Sequence, residues 1–119
     1  MNKILIHTTH GKENIERASL AFVVANAGLS AGQDATMLLT IDAVWLATRH
    51  GADRLQADGF APIAETMANF IRNGGHLWVC GACMKPRNIT AEQLIEGAQV
   101  VGAATAVEAM VGGANTLSF

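Results

Sequence analysis

Short apolar runs alternate along this chain with longer stretches in which apolar residues recur at helical spacing. Lys3-Ile4-Leu5-Ile6-His7 is one such run, ending in the polar Thr8, Thr9, His10 and Gly11. It predicts a buried parallel strand leaving into a loop. From Asn14 onward, Ile15, Ala18, Phe22 and Ala25 predict a helix with Gly28 as its stop. Asp34 to Leu39 reads as a second strand, and Asp42 as the cap of a short helix from Ala43 to His50 closing at Gly51. Pro62 opens another helix carrying Ile63, Met67, Phe70 and Ile71, which Gly74-Gly75 ends. His76 to Cys80 is a third strand. Thr90 and Gln93 form a capping box for a helix ending near Gly97. Gln99-Val100-Val101 is a further short strand, Ala103 to Val111 a helix, and Thr116 to Phe119 a last strand beyond Gly112-Gly113.

Strands alternating with helices predict a three-layer α/β/α domain around a mostly parallel sheet of four to five strands. At 119 residues the chain is expected to be a single domain, 1–119, with no repeat or linker. In such sheets ligands and chemistry gather at the carboxyl ends of the strands.

Composition narrows the classes. Half of the residues are hydrophobic and 15% are charged, more apolar surface than a small monomer is expected to leave exposed. A formal net charge of −2, with no run among the 8 basic residues, argues against a nucleic-acid surface. Only three apolar residues separate Lys3 from His7, so no secretory leader is expected. No apolar window reaches the ~18 residues of a membrane span. Two cysteines in such a chain read as reduced thiols with a chemical use, and the cytoplasm as the compartment.

The segment richest in chemistry is Cys80-Gly81-Ala82-Cys83-Met84-Lys85-Pro86-Arg87-Asn88-Ile89-Thr90. Cys80 closes a strand, where this architecture presents functional side chains. A thiol reacts as its thiolate, which nearby cations favour, and Lys85 and Arg87 lie within the same loop. The bland alternative is a small buried hydrophobe at a strand end. Gly112-Gly113 lacks the GxGxxG pattern of a dinucleotide cradle, and no P-loop is present.

Cys80, then Arg87-Asn88-Ile89, Leu94 and Glu96-Gly97 resemble the DsrE/DsrF/TusD sulfur-relay family, and the resemblance runs over nearly the whole chain. It implies a DsrE/DsrF-like fold, assembly into a homotrimer or homohexamer, and a cysteine that accepts sulfur as a persulfide from a donor protein and passes it to an acceptor. By position that cysteine is Cys80. Asn88 stands where the family usually has Gly, a tolerable exchange because Asn also visits left-handed conformations.

Cys83 departs from the best-known carriers and opens a second chemistry. Cys80-x-x-Cys83 has redox-motif spacing, so a thiol-redox, peroxiredoxin-like protein cycling through a disulfide is the alternative. Pro86 cuts the segment short, unlike the long helix of thioredoxin-type sites. An interaction module with merely structural cysteines is the third class. His10 and Asp42 are expected to ring the same pocket as Cys80 and, with Lys85 and Arg87, to contact the incoming sulfur group; the competing readings are a solvated loop for His10 and a helix cap for Asp42. Zinc requires His7, His10, Cys80 and Cys83 to converge, and neither a metal nor another cofactor is assigned. Trp45 and Trp78 are expected in the core or an interface.

Overall fold

The computed structural model describes residues 2–119. Its five strands are β1 (Lys3–Thr8), β2 (Asp34–Leu39), β3 (His76–Cys80), β4 (Ala98–Val101) and β5 (Asn115–Ser118). Four α-helices accompany them: α1 (Ile15–Ser30), α2 (Ile63–Arg72), the short α3 (Gly81–Met84) and α4 (Ala103–Val111). The strands form one sheet in the order β4-β3-β2-β1-β5, and every neighbouring pair is parallel. Thr8, Leu39, Cys80, Val101 and Ser118 therefore end on one shared edge.

Alternation along each strand sorts the side chains between two faces. Ile6, Met37, Leu39, Leu77 and Val79 point to one face, which α1 and α2 cover with Phe22, Ala18, Ala25, Ile63, Met67 and Phe70. Phe22 meets Phe70 edge to face, with ring centroids 6.4 Å apart, a geometry that the ring quadrupoles favour. The other face carries the small cluster Leu5, Leu38 and Val101, with Trp78, Ala106 and Ala114 half-buried against it.

Several elements differ from the sequence reading. Helix α1 runs through Gly28 rather than stopping there. A Cβ on Gly28 would sit 2.2 Å from Ile4 Cδ1, so the glycine lets the helix lie close on β1. The helix expected over 43–50 is a 3-10 helix, Ile41–Ala47, and its N-cap is Thr40, so Asp42 is not a cap. The helix expected over 90–97 is reduced to a 3-10 turn, Ala91–Gln93. Gln93 Oε1 does accept from the Thr90 N–H at 2.8 Å. Beyond that turn, however, the Ile95 N–H donates to the Ala47 carbonyl at 2.8 Å and Leu94 bridges to Thr48, which draws the chain out of helix. Asn88 takes φ 56°, the left-handed conformation expected of it.

Candidate functional site

Cys80 is the last residue of β3 and directly precedes α3. Strand alternation turns its side chain to the face opposite α1 and α2. There it lines a cavity of about 320 Å³ at the carboxyl edge, with His7, Leu38, Thr40, Val101, Gly102, Ala103, Ala106 and Val107. α4 roofs this cavity and the sheet floors it. Its walls are almost wholly apolar, and the polar side chains among them belong to His7, Thr40 and Cys80.

His7 is held from both ring nitrogens. Nε2 lies 2.7 Å from Thr40 Oγ1 and Nδ1 lies 3.2 Å from Ser118 Oγ. Parallel register produces this, because His7 pairs with Leu38 on one side and Ser118 on the other. Burial holds the His7 pKa below its ordinary value, so the ring is neutral at physiological pH.

The thiol lies the opposite way from the expectation drawn from the basic loop. Burial pushes the Cys80 thiol above the ordinary cysteine value, and the neighbouring Cys83 thiol adds to the rise. The peptide groups of Ala82 and Cys83 work against it without reversing it. The expected cations do not line the cavity. Arg87 is turned to Asp42, whose Oδ1 accepts from Nε at 3.2 Å and from a terminal nitrogen at 2.9 Å. Its other terminal nitrogen donates to the Cys83 carbonyl at 3.1 Å. Lys85 is exposed on the outer side of its short 3-10 helix.

Arg87 thus acts as a brace, fixing the Cys80–Arg87 segment to the loop that follows β2. The loop after β1 joins the same corner, since a Cβ on Gly11 would come within 2.6 Å of the Asp42 carbonyl oxygen. His10 sits there, its Nδ1 2.6 Å from Glu13 Oε2. His10, Asp42, Lys85 and Arg87 are accordingly gathered on the sheet edge that Cys80 shares, but they stand outside the cavity that Cys80 lines. The ring around the thiol is His7 and Thr40 in place of His10 and Asp42.

Cys83 lies one turn beyond Cys80, half-buried against the core beneath α1 and α2, and both cysteines are free thiols. It does not line the cavity. The four residues of the zinc reading do not converge: among the described residues no three His, Cys, Asp or Glu side chains are grouped to hold a metal ion. His7, Thr40 and Ser118 are the site residues that sequence reasoning passed over for this role. Their signal is positional, since each stands at or beside a strand's carboxyl end.

A second feature of the edge is conformational. Ile41 has φ 54°, in the left-handed region, although it is β-branched, and its side chain is 48% exposed. Such strain tends to persist where a site is shaped. Trp45, four residues on, is 40% exposed, so it belongs to the surface and not to the core.

Comparison with known proteins follows from this geometry. The family model described as DsrE/DsrF-like family matches residues 2–119. An uncharacterized protein of Methanocaldococcus jannaschii, MJ0760, is 27% identical over 105 residues, covering 88% of this chain. The chain spans only 38% of that relative's length. Two solved structures superpose over the full length of both chains: the ychN protein of E. coli, with TM-score 0.76 and 19% identity, and the protein of unknown function MTH1491 from Methanobacterium thermoautotrophicum, with TM-score 0.80 and 13% identity. At these identities the two structures speak for the fold.

Proposed function

From the chain's membership of the DsrE/DsrF-like family, which implies a sulfur-relay-related role, we propose that Cys80 carries sulfur as a persulfide and hands it to a partner protein. The observation that carries this reading is the opening of Cys80 into a small cavity at the carboxyl edge of a parallel sheet. A cavity of about 320 Å³ is at the small end of ligand sites. It suits one sulfur atom and the tip of a partner's cysteine better than a large cofactor.

The raised thiol pKa bears on how loading starts. Cys80 is protonated at neutral pH, so attack on a donor's sulfane sulfur requires loss of that proton first. His7 is neutral and lines the same cavity, and it can take that proton only by giving up one of its bonds to Thr40 or Ser118. Arg87 and Asp42 are positioning residues that hold the Cys80–Arg87 segment in place. His10 and Lys85, outside the cavity, are the residues we assign to meeting the incoming partner.

The proposed partners are a sulfur donor protein, an acceptor protein and further copies of this chain as a trimer or hexamer. Self-association is supported by the exposed apolar side chains Val107, Met110 and Val111 on α4 and Leu117 on the edge strand β5. No helix among the described residues is long and apolar enough to cross a membrane. We place the protein in the cytoplasm, where thiols stay reduced.

The adjacent Cys83 supports a second reading, a thiol-redox protein that cycles between dithiol and disulfide. Intact mass after incubation with a persulfide donor separates the two. The relay reading expects one added sulfur atom on Cys83→Ser and none on Cys80→Ser. Failure of Cys83→Ser to take up sulfur, while its Cys80 still alkylates, would decide for the redox reading.

A further inference from the structure

The two cysteines sit one helical turn apart, and of the two Cys80 alone lines the apolar cavity. Cys80 lines the apolar cavity, so a sulfur added to its Sγ extends into that space. Cys83 lies one helical turn on and does not line the cavity; both cysteines pack against the main core, and the Cys83 thiol is close enough to raise the pKa of Cys80. Displacement at sulfur proceeds with attacker, central sulfur and leaving group roughly in line. A partner entering the cavity meets the outer sulfur first, whereas Cys83, outside the cavity, has the Cys80 thiol as its neighbour.

We infer that Cys83 discharges the Cys80 persulfide as hydrogen sulfide, giving the protein a sulfide-releasing activity alongside sulfur transfer. This inference rests on the persulfide reading of Cys80. The Cys83 thiol loses its proton and its sulfur attacks Sγ of Cys80. The Cys80–Cys83 disulfide bond forms as the bond from Sγ to the outer sulfur breaks. The outer sulfur leaves with the bonding electron pair as hydrosulfide and takes up a proton to become hydrogen sulfide. Two electrons pass from the cysteine pair to the sulfane sulfur, so no outside oxidant is consumed. A dithiol reductant then returns the disulfide to two thiols for the next cycle.

Three features favour this branch. An apolar cavity disfavours an anionic persulfide and suits a neutral leaving molecule. Arg87 fixes the Cys83 carbonyl at 3.1 Å, which limits the drift of the attacking residue. Cys83 stands three residues after Cys80 at the start of a helical segment that runs on through Pro86 to Arg87, a spacing that makes the two side chains neighbours.

The test loads the reduced native chain and Cys83→Ser with glutathione persulfide under anaerobic conditions, removes the donor and adds no reductant. Sulfide release is followed against time, and intact mass after acid quench reports persulfide and disulfide. The native chain should release one sulfide per persulfide lost and end as the Cys80–Cys83 disulfide. Its release should exceed that of Cys83→Ser by about tenfold or more, because a thiol held beside its target acts at high effective concentration. Equal persulfide lifetimes in the two chains, or sulfide appearing without the disulfide, overturn the inference and leave the relay reading intact. If Cys83→Ser never loads, the relay reading fails and this inference falls with it.

Discussion

The two faces of the sheet are built to different standards. Beneath α1 and α2, Phe22, Phe70, Met37, Leu39, Leu77 and Val79 are almost completely removed from solvent. Beneath α4 the buried set shrinks to Leu5, Leu38 and Val101. Two cavities remain there, one of about 320 Å³ at the carboxyl edge and one of about 370 Å³ towards the amino edge. No residue of α4 itself is buried, and Val107, Met110 and Val111 are more than half exposed at 55%, 53% and 83%. A helix this apolar all round is expected to be covered. One face therefore secures the fold, and the other packs more loosely around the Cys80 thiol.

The widest separation between the faces should appear in stability. Phe22→Ala should cost about 3–5 kcal/mol, because it removes a fully buried ring from a dense core and leaves a cavity. Ala106→Leu adds volume where space already exists, and denaturant unfolding should find it within about 1 kcal/mol of the native chain. If Ala106→Leu instead cost the ~1–3 kcal/mol typical of overpacking, the α4 face would be as tightly filled as its opposite.

Titration sharpens the same contrast, because the open face holds both groups that burial keeps neutral. His7 has its pKa lowered from 6.5 in the fold, so as pH falls through that value the unfolded chain takes up the proton more readily. Its contribution is present above 6.5 and is lost on acidification. Cys80 has its pKa raised from 9.0, so the unfolded chain loses that proton first as pH rises. Its contribution is present below 9.0 and is lost on alkalisation through the raised value. Unfolding free energy should therefore be greatest between these limits. His7→Gln should flatten the acid side, and Cys80→Ser the alkaline side. An acid slope that survives His7→Gln would mean the ring is not the group that burial restrains.

Much of this architecture is legible in the sequence, since short apolar runs and helical spacing reflect burial, and burial organises the layers. Lys3 to His7, Asp34 to Leu39 and His76 to Cys80 read as strands for that reason and fold as strands. What local patterns miss is decided by distant partners. Gly28 reads as a stop, but Ile4 makes it a close contact inside α1. Asp42 reads as a cap and becomes the acceptor of Arg87, 45 positions away. The site shows the same limit. The place of Cys80 at a strand end was readable, whereas the residues around it depend on register: His7 enters through its pairing with Leu38 and Ser118, and the basic loop turns away to Asp42. Cations counted along the sequence were therefore a poor guide to the thiol's electrostatics.

The smallest expected effect concerns Ile41, at the edge where the open face meets the shared corner. A left-handed backbone costs an L-residue about 1–2 kcal/mol, more sharply for a β-branched one, and Asn tolerates it well. Ile41 is about half exposed in the single chain, so little burial there offsets the strain. Ile41→Asn should then raise the unfolding free energy of the dissociated chain by about 1 kcal/mol. Trp45, on the same 3-10 helix, is a second exposed apolar side chain. The same substitution should then weaken the proposed self-association, seen as a lower mean mass by light scattering than the native chain gives. A more stable chain with an unaltered mass would leave Ile41 as strain without a partner. A less stable one would show that the corner holding His10, Asp42 and Arg87 depends on the isoleucine itself, and the division between a structural face and an open one would end before it reached that edge.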